Sequence, residues 1–429
     1  MIRVGFAVAD ITPEVGAAVP GGFAPRTSTG VLDPLQVRAC VVTGAHAALT
    51  VVGVDAVSLR FDTIAKARKQ IESACAIPPR NVLIATNHTH SGGPANDVLG
   101  TDSDDVYCDL IALRIAEAVK AAHSKRKAAQ VAWAGGRCDG LAFNRRFKMK
   151  DGSEATHPGK TNPNKIEPAG PVDPELGITA FRNSRGKLLG VIGNFTCHST
   201  VVGGTQFSAD YSGYWQMALH DLAGSDITLV FLNGACGDIT QIDHTNPNVK
   251  ESGIEWAKKM ADALAKETLT AINGANFTAD AEVHTAHGEA HVKYRHPSPE
   301  ALAEARKLLD SDAEWTSKKW QARDLVLLAE QIGSSEGTDC PVDVFRIGQA
   351  AIAAAPWQPF CEFGLKIKKA SPFRPTLVAT FANGMLGYVP TPQGFKGGGY
   401  EPTLCRGSKL QPDAGDAIAA ETIRLLGLL

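Results

Sequence analysis

Two histidines one residue apart, His88 and His90, stand in Thr86-Asn87-His88-Thr89-His90-Ser91-Gly92-Gly93, directly after the apolar run 82–85. A run of that length reads as a buried strand, and ligands in α/β proteins gather beyond the carboxyl ends of strands. The pair therefore has the address of a metal or catalytic site. One hydrogen-bonded and one solvated histidine in an ordinary loop would give the same pattern. His198 repeats the arrangement: the apolar stretch 188–195 leads into Thr196-Cys197-His198-Ser199-Thr200. Asp210, a little further on, could orient a ligand histidine or serve as the cap of the helix that follows. A catalytic zinc usually takes three side-chain donors and keeps a position for water. Two histidines leave that set incomplete, so a carboxylate or phenol must come from elsewhere. Glu362 in Phe360-Cys361-Glu362-Phe363 and Tyr388 in Gly387-Tyr388-Val389-Pro390 are candidates, and neither stands out unaided.

Other polar clusters read more plainly. Gly234-Ala235-Cys236-Gly237-Asp238-Ile239-Thr240 follows an apolar strand and offers glycine N–H groups to a ligand, although spacing alone makes it a tight turn closed by Thr240. His284, His287 and His291 fall in an extended stretch where His284 and His287 face opposite sides. That stretch reads as polar strand surface.

The totals narrow the classes. A net charge of -2 with 21% charged residues gives no footprint for nucleic acid, and no apolar run suits a transmembrane segment. The opening Met1-Ile2-Arg3-Val4 lacks the sections of a signal peptide, which predicts a cytoplasmic protein, or a secreted or periplasmic one whose leader was removed. Nine cysteines without a Cys-x-x-Cys pair read as small buried hydrophobes in a reducing compartment, not as a thiolate zinc cluster.

The elements that must carry these residues alternate in type. Strands are expected over 37–42, 49–54, 82–85, 188–195 and 227–232, and helices over 63–76, 105–122, 213–222, 253–270, 299–309 and 413–426. Ser298-Pro299 is a sound helix start. This predicts an α/β fold with mixed β-sheets flanked by helices, in one domain spanning 1–429. The segment 148–173 is expected to be a long polar loop, either a lid or mobile. A second loose stretch, 333–343, follows a run with Trp315 and Trp320 that reads as helical core or as the wall of a substrate pocket.

Taken in order, Asp10-Ile11-Thr12-Pro13, Asn87-His88-Thr89-His90-Ser91-Gly92, Asn144-Arg145, Asn194-Phe195-Thr196-Cys197-His198, Gly237-Asp238-Ile239-Thr240, Glu362 and Gly387-Tyr388-Val389-Pro390-Thr391 resemble the catalytic domain of the neutral (non-lysosomal) ceramidase family. The resemblance spans nearly the whole chain and implies a layered α/β sandwich. It also implies one catalytic Zn2+ held by His88, His198, Glu362 and Tyr388, with His90 beside the zinc-bound water. Arg145 and N–H groups around Gly237 would face the oxyanion, and His90 or Tyr388 would shuttle protons. The implied reaction is attack of zinc-bound water on the linear amide of a small N-acyl substrate, ceramide-like or more polar. Where the family has serine followed by proline, this chain has Thr240-Gln241, so Thr240 is expected to bind substrate or position water. Too few residues follow Tyr388 for the family's C-terminal immunoglobulin-like domain. The same centre could instead hydrolyse an ester, a lactone or a sugar-derived bond, or the chain could be a catalytically silent binding homologue.

Overall fold

Successive side chains of a strand face opposite ways, and the strand Gln36–Thr43 buries both faces: Val37, Ala39 and Val41 join one core cluster, Cys40 and Val42 another. The structure, a computed structural model, describes residues 1–45, 47–224 and 226–429. Gln36–Thr43 lies within a mixed sheet of order Val82–Thr86, Ala48–Val54, Gln36–Thr43, Arg3–Asp10, Lys127–Ala128, in which the first two strands run parallel. A second sheet has the order Thr228–Asn233, Leu188–Phe195, Glu175–Arg182, Gln130–Arg137, again with its first two strands parallel. The third runs Val283–Lys293, Gly337–Ile347, Ala350–Ala354, Thr376–Ala379, with its last two strands parallel.

One face of each sheet feeds a common core: Val51 and Leu83 from the first, Phe181 and Ile192 from the second, Phe345 and Leu377 from the third. Each opposite face is covered by a pair of helices. Phe61–Cys75 and Asp105–Ser124 cover the first sheet, Asp210–Ala223 and Ile254–Asn273 the second, Cys361–Ala370 and Ala414–Leu426 the third. This is the mixed, layered α/β arrangement that the alternation of elements implies. The helix Pro299–Leu309 has the expected bounds, with Ser298 Oγ accepting from the Ala301 N–H at 3.1 Å. Eight of the nine cysteines are buried, and all nine are free. Among the described residues no helix is long and apolar enough to cross a membrane.

Two expectations need correction. The segment 148–173 is not a loop: Arg146–Met149, Glu154–Thr156 and Lys165–Pro168 pair as a three-stranded antiparallel sheet. Its polar residues find partners, since Lys160 Nζ donates to the carbonyls of Asn246 and Val249, and Lys148 pairs with Glu167 at 2.8 Å. Most of the stretch 333–343 belongs to the long strand Gly337–Ile347, paired along its length with Val283–Lys293. His284, His287 and His291 lie on that partner strand, where His287 and His291 meet Asp343 and Asp339 rather than each other.

Candidate metal centre

The carboxyl ends of the parallel strands in all three sheets converge. Val82–Thr86 leads into His88 and His90, Leu188–Phe195 into His198, and the third sheet supplies Gln358, Phe381 and Tyr388 just beyond Ala350–Ala354 and Thr376–Ala379. Side chains stitch these turns together. Asn87 Nδ2 donates to Asp55 Oδ1, the Ala209 carbonyl and Ser212 Oγ, all within 3.0 Å. Ser199 Oγ and Asn233 Nδ2 donate to the Asn87 carbonyl, and the His90 N–H donates to the Ser199 carbonyl. His88 is held at φ 65°, and its ring stacks on Phe381 (itself at φ 52°) with centroids 3.9 Å apart. Bulky residues occupy this left-handed region only where their surroundings hold them there.

Each of the three imidazoles points its Nδ1 at a backbone carbonyl: His88 at Val57 (2.6 Å), His90 at Gly21 (3.0 Å) and His198 at Cys236 (3.0 Å). A carbonyl only accepts, so each Nδ1 carries the proton and each neutral ring presents a bare Nε2 lone pair. His88 Nε2 lies 3.1 Å from that of His198 and 3.3 Å from that of His90, and the three converge within 4.8 Å. Protonation does not relieve this crowding. Burial, reinforced by the neighbouring imidazoles and Arg145, holds His88 and His198 well below the usual histidine range, and burial takes His90 down to about 4. Three lone pairs aimed at one another could hold a cation between them. Tetrahedral metal–nitrogen bonds of about 2.0–2.1 Å would set donor nitrogens about 3.3–3.4 Å apart, close to the spacing seen. The residues fit a metal ion.

The other expected site residues fall in different places. Tyr388 is beside the histidines in the same cavity wall, and its hydroxyl accepts from Arg145 Nη2 at 3.0 Å. Arg145 is buried, paired through Nε with Glu401 (2.8 Å) and donating to the Gly237 carbonyl. Glu362 does not join the cluster. It sits exposed in the first turn of the helix Cys361–Ala370, which begins just after the strand end and carries it out to solvent. The group that does reach the histidines is Gln358, four residues earlier, with Nε2 3.2 Å from His88 Nε2 and 3.4 Å from His198 Nε2.

Thr240 is buried and does not line the cavity, and its hydroxyl donates to Gln241 Oε1 at 3.2 Å. The Gly237 N–H is spent on the Pro359 carbonyl at 2.8 Å and is not free for an oxyanion. Asp210 touches no histidine. At the first residue of its helix it accepts from the Val202 and Tyr211 N–H groups, which ties the His198 turn to that helix. Gln358, Phe381 and Glu401 carry no signal in the sequence, because an amide, a phenyl ring and a lone acid become functional only through what folds against them.

His88 and His90 open onto a cavity of about 530 Å3. One wall is aromatic, with Phe23 against Tyr400 (5.5 Å) and Tyr400 against Tyr388 (5.7 Å). The helix Ser317–Ile332 supplies another through Gln321, Asp324 and Leu327, with Arg406 Nε bonded to Asp324 at 2.6 Å. Trp315 and Trp320 pack on each other at 4.3 Å and do not line the cavity, and Trp315, 51% exposed and ahead of the helix Ser317–Ile332, is not the helical core residue expected.

No protein-family model and no curated protein matches the sequence. Solved structures do: a ceramidase complexed with C2 and a neutral ceramidase from Pseudomonas aeruginosa. Each is similar at a TM-score of 0.76 and 16% identity, over 99% of this chain and 74% of the other. The chain has the fold of the neutral ceramidases.

Proposed function

We propose that the protein is a zinc-dependent hydrolase that cleaves the amide bond of a linear N-acyl compound, ceramide-like or more polar. The observation that carries this reading is the trio of bare Nε2 lone pairs on His88, His90 and His198, each ring fixed by its Nδ1–H. The shared fold supports the reaction class. His88 and His198 would hold the ion, with His90 as a third imidazole donor in place of the expected neighbouring role. A bound zinc supplies a Lewis acid for the carbonyl and brings a bound water to a pKa of about 7.

The chain's own groups do the rest. Tyr388 keeps a phenolic proton at the cavity wall, and burial raises its pKa. Arg145 donates to the same oxygen, which stabilises the charge left when that proton passes to a leaving amine. Glu401 fixes the Arg145 guanidinium in that pose. The aromatic wall of Phe23 and Tyr400 excludes water and packs an acyl group.

Metal analysis of the purified protein is expected to find about one zinc per chain, and His88→Ala and His198→Ala to lose it, since each removes one of the imidazole donors. A screen over N-acyl amines, N-acyl amino acids, esters and lactones is expected to show amide cleavage that a chelator removes and zinc restores. Protein free of stoichiometric zinc would sink the metal reading, and turnover of esters or lactones alone would sink the amide.

A further inference from the structure

Gln358 is 2% exposed, and its backbone is held by a neighbouring strand. Its strand Gln358–Pro359 pairs in parallel with Tyr388–Val389, in a register that sets Gln358 opposite Tyr388. Its N–H donates to the Gly387 carbonyl at 2.9 Å. The side chain points at the histidine cluster, where its Nε2 stands 3.2 Å and 3.4 Å from the Nε2 atoms of His88 and His198. Gln358 also lines the cavity, and no described residue donates to its Oε1.

We propose that Gln358 is the fourth protein donor to the ion held by His88, His90 and His198, through its amide oxygen. This rests on the metal reading above. The two ends of a side-chain amide have the same shape, so a half-turn about its last bond exchanges nitrogen for oxygen without moving the chain. An NH2 group facing the imidazole lone pairs suits a cluster without a cation, whereas the oxygen is the end that suits a cation. The half-turn also swings NH2 to where Oε1 now lies, as a donor for a substrate oxygen. Three neutral imidazoles and a neutral amide leave the ion's double charge uncompensated by its protein donors, unlike a set containing Glu362.

The test uses the whole protein loaded with Co2+, a spectroscopic substitute for zinc, and reads affinity by chelator competition together with the visible absorption band. Gln358→Ala is expected to weaken Co2+ binding about 10–100-fold, the range for groups that support a metal site. Gln358→Glu is expected to tighten binding and shift the band, because a charged oxygen replaces a neutral one. Wild-type affinity with an unchanged band in Gln358→Glu overturns the proposal, as does wild-type affinity in Gln358→Ala. Should Gln358→Ala fail to fold, Gln358→Glu decides alone. Failure of the wild type to bind any metal would instead strike the zinc reading, so the two failures are separable.

Discussion

Lys409 lies almost wholly buried in the cavity wall, its ammonium donating to the carbonyls of Leu386 (2.7 Å) and Arg406 (2.8 Å). Burial pushes its pKa down from 10.5 to about 8. In the folded chain the proton therefore leaves near pH 8, while the unfolded chain keeps it to about 10.5. Its share of stability is complete above the unfolded value and is lost as the pH falls through the folded one, by up to about 3 kcal/mol. Lys409→Met removes that dependence. Urea unfolding at about pH 7.5 and about pH 10 is expected to show the variant's stability relative to wild type falling at the higher pH. A difference that stays constant would mean that the ammonium is solvated. Single residues were unevenly legible in the sequence. His88 and His198 stand out because a histidine after an apolar strand is rare and chemically pointed. Gln358 does not, since an amide gives no such signal and Glu362 lies four residues away with a more suggestive side chain. What separates the two is the first residue of a helix, Cys361, and that boundary is a property of the folded chain.

Between elements, the contact that fixes Gln358 is the turn through Gly237. A Cβ there would fall 2.7 Å from the carbonyl oxygens of both Gln358 and Pro359. Neither is a flexible side-chain end that could yield. Gly237→Ala is expected to lose about 1–3 kcal/mol of stability by overpacking and to weaken metal binding, because the strand end that carries Gln358 must move. Urea unfolding paired with a metal titration checks both parts, and a destabilised variant with intact metal affinity would detach Gln358 from the ion. The longer elements were legible through their periodicity: an eight-residue strand such as Gln36–Thr43 and a twenty-residue helix such as Asp105–Ser124 declare themselves. The small sheet within 148–173 does not. Its strands run to three or four residues, and its alignment is set by turns and by lysines reaching distant carbonyls.

At the scale of the whole molecule, three sheets share one core and each lends the end of a parallel strand pair to the same point. No local stretch of sequence announces this, because the pairings that matter join residues as far apart as His88 and Gln358. The arrangement also has a temporal meaning. On the proposed metal reading, a chain with two sheets assembled would have at most part of the donor set, so an ion would act as a coincidence detector for completed assembly. Metal uptake is therefore expected to come last in refolding. After dilution from urea with a metal indicator present, the burial of Trp215 and Trp357, read as fluorescence, should recover before the indicator gives up its zinc. Simultaneous recovery would mean that the ion organises the sheets. Under the order expected here, half-built chains would stay metal-free, and a bound zinc would mark only the chains that have finished folding.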